Sequence, residues 1–153
     1  MNNIAAILDD VAISQNSFSF IKSFNSLSSN NNAVYCFYNN ISAPTIQPLF
    51  STMNIYYATS FNNGHMIATT LNNAGTLLNI HSAVKKYLYL WDLEWIRHRL
   101  DFSYVNSILK NPSINIIARS QSHAALIQNY TNQTIKYTLD DWNPKQLLEI
   151  ING

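Results

Sequence analysis

A three-layer α/β domain, with a mostly parallel sheet and helices on both faces, is what this sequence predicts. Three observations point there. Short β-branched and aromatic runs recur, and most are followed by a stretch of helical periodicity. Two of the runs, Tyr87–Trp91 and Ile114–Ala118, are almost continuously apolar, as strands covered on both faces must be. The later half alternates strand and helix so regularly that three successive βαβ units with right-handed crossovers account for it. At 153 residues, without repeat, low-complexity linker or internal boundary, the chain fits a single Rossmann-like domain with room for one sizeable core.

Taken in order, Ile4–Leu8 is the first strand, ending at Asp9 and Asp10. A helix follows from about Ser14 to Ser28, with Phe20, Ile21, Phe24 and Leu27 on one face. Ala33–Tyr38 is the second strand, ending in Asn39 and Asn40. Pro44 and Pro48 mark Ser42–Thr52 as an irregular loop. Met53–Ala58 and Met66–Thr70 flank the turn signal Asn62-Asn63-Gly64 and fit either a hairpin or two adjacent strands. A short helix from about Leu71 to Ile80 leads to the strand Lys86–Trp91. Asp101 caps a helix carrying Phe102, Val105, Ile108 and Leu109, which Pro112 terminates. Ile114–Ala118 is the next strand, and Gln121–Tyr130 the next helix, capped by Ser120 or Ser122. A last strand, Ile135–Leu139, runs into Asp140-Asp141-Trp142. Asn143 then caps a final helix with Pro144 in its first turn and Leu147, Leu148 and Ile151 on its inner face, and Gly153 ends it.

Composition excludes several function classes. Charged residues make up 11%, against about a quarter in ordinary domains, and the net charge is +1. No electrostatic field of that size gathers nucleic acid or acidic lipid. No apolar run approaches the ~20 residues of a membrane helix, and the first residues lack the basic start of a secretory signal. Cys36 is the only cysteine, which points to a reducing compartment, the cytoplasm (a host's, for a phage-encoded chain). Asn40, Asn129 and Asn132 fall in glycosylation triplets that a chain this rich in Asn and Ser produces by chance.

Glycine gives the sharpest exclusion. With only Gly64, Gly75 and Gly153, neither the G-x-G-x-x-G dinucleotide fingerprint nor a P-loop can be placed, so no nucleotide cofactor is expected. The four histidines, His65, His81, His98 and His123, show no zinc spacing and have no cysteine partner, so no metal is expected either. No serine stands in a G-x-S-x-G elbow.

In an open parallel sheet, ligands bind beyond the carboxyl ends of the strands. Those positions hold Asp9, Asp10, Asn39, Asn40, Ser60, Asp92, Glu94, Arg119, Ser120, Asp140 and Asp141. Five of the six aspartates are among them. Carboxylates at a cleft bind sugar hydroxyls or act as general bases, which makes Asp9, Asp92 and Glu94 the catalytic candidates. Aspartate also favours turns and N-caps wherever strands hand over to helices. Trp91-Asp92-Leu93-Glu94-Trp95 is the most unusual stretch. Read as extended chain, it projects both carboxylates to one side, and two indoles beside them suit the apolar face of a carbohydrate. The alternative is a charged loop against a core tryptophan, with Arg97 pairing with Glu94. Arg119-Ser120-Gln121-Ser122-His123 opens a helix after a strand and suits an anion or carboxylate, or else is ordinary serine capping.

Three segments carry a family resemblance: Tyr87–Trp95, Ile116–Tyr130 and Ile135–Ile150. Across residues 65–150 the chain resembles the last third of the N-terminal, acceptor-side domain of GT-B glycosyltransferases, most closely the glycosyltransferase-like proteins of large tailed phages. In that family a strand ends at a serine, a helix follows, and a further strand leads into an acidic, domain-closing turn. Here these would be Ser120, the helix to Tyr130, and Thr138–Asn143, which brings Trp142 in beside Asp140 and Asp141. The resemblance implies a carbohydrate or nucleotide-sugar ligand; together with the strand-end positions it makes Asp10, Asn39, Arg119, Ser120, Ser122, Asp140, Asp141 and Trp142 the ligand-binding candidates. Two departures stand out. The Gly-rich loop that often follows the first strand is replaced by Asp9-Asp10-Val11-Ala12, and the glutamate pair of the donor-binding half has no counterpart, since only Glu94 and Glu149 occur. The resemblance therefore implies a half-domain that works with a donor-binding partner chain or self-associates as a homo-oligomer. A non-catalytic binding or assembly module on the same scaffold is the alternative.

Overall fold

Seven strands, all parallel, form one sheet in the computed structural model, which describes residues 1–97 (without the Arg97 side chain) and 101–153. They are β1 (Asn3–Val11), β2 (Ala33–Ile41), β3 (Ser51–Asn54), β4 (Gly64–Ala68), β5 (Val84–Leu90), β6 (Ile114–Ala118) and β7 (Tyr137–Thr138). The helices are α1 (Gln15–Ser29), α2 (Leu71–Leu78), α3 (Glu94–Arg97), α4 (Phe102–Leu109), α5 (Gln121–Thr131) and α6 (Pro144–Asn152). The order across the sheet is β3-β2-β1-β4-β5-β6-β7. The chain thus winds outward from β1 to β3, returns across the sheet to β4, and winds outward the other way. The predicted three-layer α/β domain is what forms.

Both faces of β1 are dry, which is why its apolar run is unbroken. Ile4, Ala6 and Leu8 pack with Phe20, Phe24 and Leu27 of α1 and Leu147 and Ile151 of α6. Ala5 and Ile7 pack on the opposite face with Leu71, Ala74 and Leu77 of α2, Val105 and Ile108 of α4, and Ile127 of α5. Burying each such side chain contributes roughly 1.5–3 kcal/mol, so the two faces together fix the strand register. Helix starts follow their capping residues: Ser14, Thr70, Asp101, Ser120 and Asn143 each accept a backbone N–H from the first turn that follows. At α5 the cap is Ser120 rather than Ser122. In α6 Ile150 joins Leu147 and Ile151 in the core, and the partly buried Leu148 packs against it.

Residues 53–70 follow neither expected arrangement. β3 is an edge strand beside β2, whereas β4 lies between β1 and β5, so the two are not neighbours. Asn54 ends β3 by accepting the Tyr56 N–H, and Ile55–Ser60 then coil into a 3₁₀ helix in place of the expected strand to Ala58. Ala58 is fully buried, and its three-residue spacing from Ile55 is the helical period that the apolar run concealed. Ser60 consequently lies on the return path into β4 and not at a carboxyl strand end. No helix among the described residues is long and apolar enough to cross a membrane.

Candidate functional site

The parallel sheet brings the carboxyl ends of all its strands to one edge, and the reversal of winding opens that edge between β1 and β4. The last β1–β4 pair is Ile7 with Ala68. Beyond it β1 continues to Val11, paired only with β2, while the chain of β4 turns away into α2. Thr69 holds the point of divergence, its hydroxyl donating to the Ile7 carbonyl at 3.0 Å. A crevice between the end of β1 and the start of α2 follows from the topology alone.

Asp9 follows Ala5 and Ile7 to the α2 face, while Asp10 is exposed. Asp9 is half-buried and accepts from Asn39 Nδ2 at 3.1 Å, and the same Nδ2 lies 3.5 Å from Asn73 Oδ1. Asn73, in the first turn of α2, is 1% exposed, and its Nδ2 has no partner among the described residues. Glu94 reaches across from the end of β5, where its Oε1 accepts the Leu71 backbone N–H at 3.0 Å. A carboxylate of the protein therefore already occupies the N-terminus of α2, where such a helix would otherwise attract phosphate. Burial raises the Glu94 pKa above 4.5; the Leu71 N–H opposes that shift, while the nearby charges of Asp9 and Asp92 add to it. Among the described residues no group of three or more His, Cys, Asp or Glu is placed to hold a metal ion.

The Glu94 shift carries a sign. An acid whose pKa is raised on folding binds its proton more tightly in the native state, so stability falls as pH climbs from 4.5 through the folded value. Glu94→Gln keeps an acceptor for Leu71 and has no charge to bury. Its stability relative to wild type, measured by urea unfolding, is expected to rise across that window and then level off. A difference independent of pH would contradict the placement of this carboxyl.

The remaining candidates lie farther along the same edge, beyond β5, β6 and β7. The Arg119 guanidinium lies 4.1 Å from the centre of the Trp91 ring. Ser120 accepts the His123 N–H at 3.2 Å, and its Oγ is 2.9 Å from that of Ser122, so both serines serve the start of α5. Tyr89 donates to the Leu139 carbonyl at 2.7 Å, which ties β5 to the entry of the turn carrying exposed Asp140 and Asp141. Trp142 itself has no exposed surface; its Nε1 donates to Asn16 Oδ1 at 2.8 Å. It is a core residue and offers no ring face to a ligand.

Sequence reasoning erred over the two indoles. The strand ends at Leu90, and Glu94 already belongs to α3, so Asp92–Glu94 is not extended chain. Trp91 packs with Tyr89 on one side of the sheet, and Trp95 stacks on Tyr130 on the other, ring centres 5.0 Å apart. They cannot grip one sugar between them. The expected Arg97–Glu94 pairing lies outside the described residues. Asn73, Thr69 and Thr70 were overlooked, although Thr70-x-x-Asn73 at a strand-to-helix junction is a visible N-cap signal.

No protein-family model, curated protein or solved structure matches this chain.

Proposed function

We propose that residues 1–153 form an acceptor-side, sugar-binding domain of the GT-B glycosyltransferase kind, with the crevice between β1 and α2 receiving a neutral, hydroxyl-rich acceptor. The observation that carries this reading is the Glu94 carboxyl seated on the N-terminus of α2 with Asp9 close by. Such a crevice repels a phosphate and suits hydroxyl groups, which donate to carboxylates. Asp9, held by Asn39, is the acceptor for an attacking hydroxyl proton. In the transfer, the acceptor oxygen bonds to the anomeric carbon, the bond from that carbon to the nucleotide diphosphate breaks, and the proton passes to Asp9. A donor-binding domain would supply the nucleotide contacts and, on closure, exclude water.

The test is a thermal-shift screen of the full chain against neutral oligosaccharides, nucleotide sugars and sugar phosphates. A neutral oligosaccharide at a hundred times its Kd stabilises by about 2.7 kcal/mol, a Tm rise of roughly 5–10 °C for a domain of this size. In Asp9→Asn the rise should shrink to about half or less, because a hydrogen bond to a charged acceptor is worth about 1.5–3 kcal/mol. Preference for sugar phosphates, or an undiminished shift in Asp9→Asn, would refute the reading.

A further inference from the structure

Toward the other end of the sheet, a cavity of about 310 Å³ lies beneath the 3₁₀ helix. Tyr35 and Phe37 of β2 and Met53 of β3 meet Tyr57 and Phe61 across it, and Asn3, Ser60, Asn62 and Asn63 complete its lining. From this half-open pocket we infer a second binding site, for an uncharged heteroaromatic molecule the size of a nucleobase or nucleoside.

Three features select that ligand. No Asp, Glu, Lys, Arg or His lines the cavity, so a charged group buried there would lose its hydration without gaining a counter-ion. Five of its nine lining residues are aromatic or Met, and Phe61 meets Tyr35 and Phe37 edge-on at centroid distances of 5.8 and 6.4 Å. Rings so arranged favour a flat aromatic partner over a saturated one. The polar groups are amides and a hydroxyl, each both donor and acceptor, which match the mixed donor–acceptor edge of a base. Two of them are held in place: Asn3 Nδ2 donates to Asn63 Oδ1, and Gly64 packs directly on the Asn3 backbone. The volume is at the lower end for small-molecule sites, about 300–1,000 Å³, and too small for a dinucleotide. Tyr57 lines the cavity yet is 61% exposed, and a ligand would cover its ring.

The site is separate from the crevice. Asn3 and Asp9 stand six residues apart on one strand, about 20 Å at strand rise. The experiment is an NMR titration of the full chain with adenosine, cytidine, toluene and methyl glucoside. A nucleoside should bind with sub-millimolar Kd, shifting the amides of Asn3 and residues 60–63. Tyr57→Ala, whose largely exposed ring makes it compatible with folding, should weaken binding by about tenfold, the typical worth of one stacked base. Asp9→Ala should leave it unchanged. Failure of both nucleosides at millimolar concentration would overturn the proposal. So would equal affinity for toluene, insensitivity to Tyr57→Ala, or loss of binding in Asp9→Ala.

Discussion

Gly64→Ala is expected to cost about 3 kcal/mol or more, a fall in Tm of roughly 10 °C, measured by thermal unfolding. Gly64 opens β4 with φ +97°, a conformation that strains any L side chain. A Cβ there would stand 2.3 Å from the Asn3 carbonyl oxygen and 2.6 Å from the Asn3 Cβ. Backbone, not a flexible side-chain tip, is in the way, so the start of β1 or of β4 has to move. The damage falls on the seam between β1 and β4, the two strands that diverge at the crevice. Gly75→Ala is the control: it lies within α2 with nothing inside 4 Å of an added Cβ, and should gain about 0.5–1 kcal/mol from helix propensity. Equal effects of the two substitutions would contradict the description of the seam.

Trp142→Ala is expected to lose about 3–5 kcal/mol, the usual cost of deleting a large buried aromatic side chain. The indole is ringed by Phe20, Phe24 and Tyr89, all edge-on or nearly so, with centroids 5.1, 5.7 and 4.8 Å away. It joins α1, β5 and the last turn in one cluster, and truncation also leaves Asn16 Oδ1 without its donor. The backbone adds a second constraint, since Asp141 and Trp142 both have positive φ, 45° and 60°. Two such residues in a row persist only where the surroundings hold them, and here the bond from the Tyr89 hydroxyl to the Leu139 carbonyl and the buried indole on either side do so. Trp142→Phe should recover about half the loss by refilling most of the volume. A Trp142→Ala variant within 1 kcal/mol of wild type would show that the cluster is not packed as described.

Strands buried on both faces were legible because β-branched and aromatic runs leave little choice. The strand Ile114–Ala118 is legible to the residue, and Asp101 and Asn143 announce their helices by type and position. What remained hidden depended on long-range pairing. Nothing in Met53–Ala58 tells that β1 and β2 will stand between β3 and β4, so a local hairpin looked as good as any reading. The acidic rim was legible as a set but not as an arrangement. Parallel strands bring Asp9, Asp92 and Glu94 near one another at the crevice, while Trp142, which sequence alone placed beside Asp140 and Asp141 as a ligand contact, turns into the core. Asn73 escaped notice because its role depends on Asn39, 34 positions earlier. The aromatic cavity escaped for the same reason: its walls come from β2, β3 and the 3₁₀ helix, which no motif links.

Cys36 is fully buried in β2, and its thiol pKa is pushed up to about 12 by that burial. A thiol so placed packs as a small apolar side chain and contributes no nucleophile to either site.

The crevice between β1 and α2 is the feature on which the functional reading rests, and an amide-resolved NMR titration with the best neutral oligosaccharide from the thermal screen addresses it directly. The expected shifts fall on Asp9–Ala12, Asn39, Thr69–Asn73 and Glu94, and fade in Asp9→Asn. Shifts confined to the 3₁₀ helix, to the Arg119–Ser122 start of α5 or to the Asp140–Asp141 turn, with the crevice silent, would contradict it.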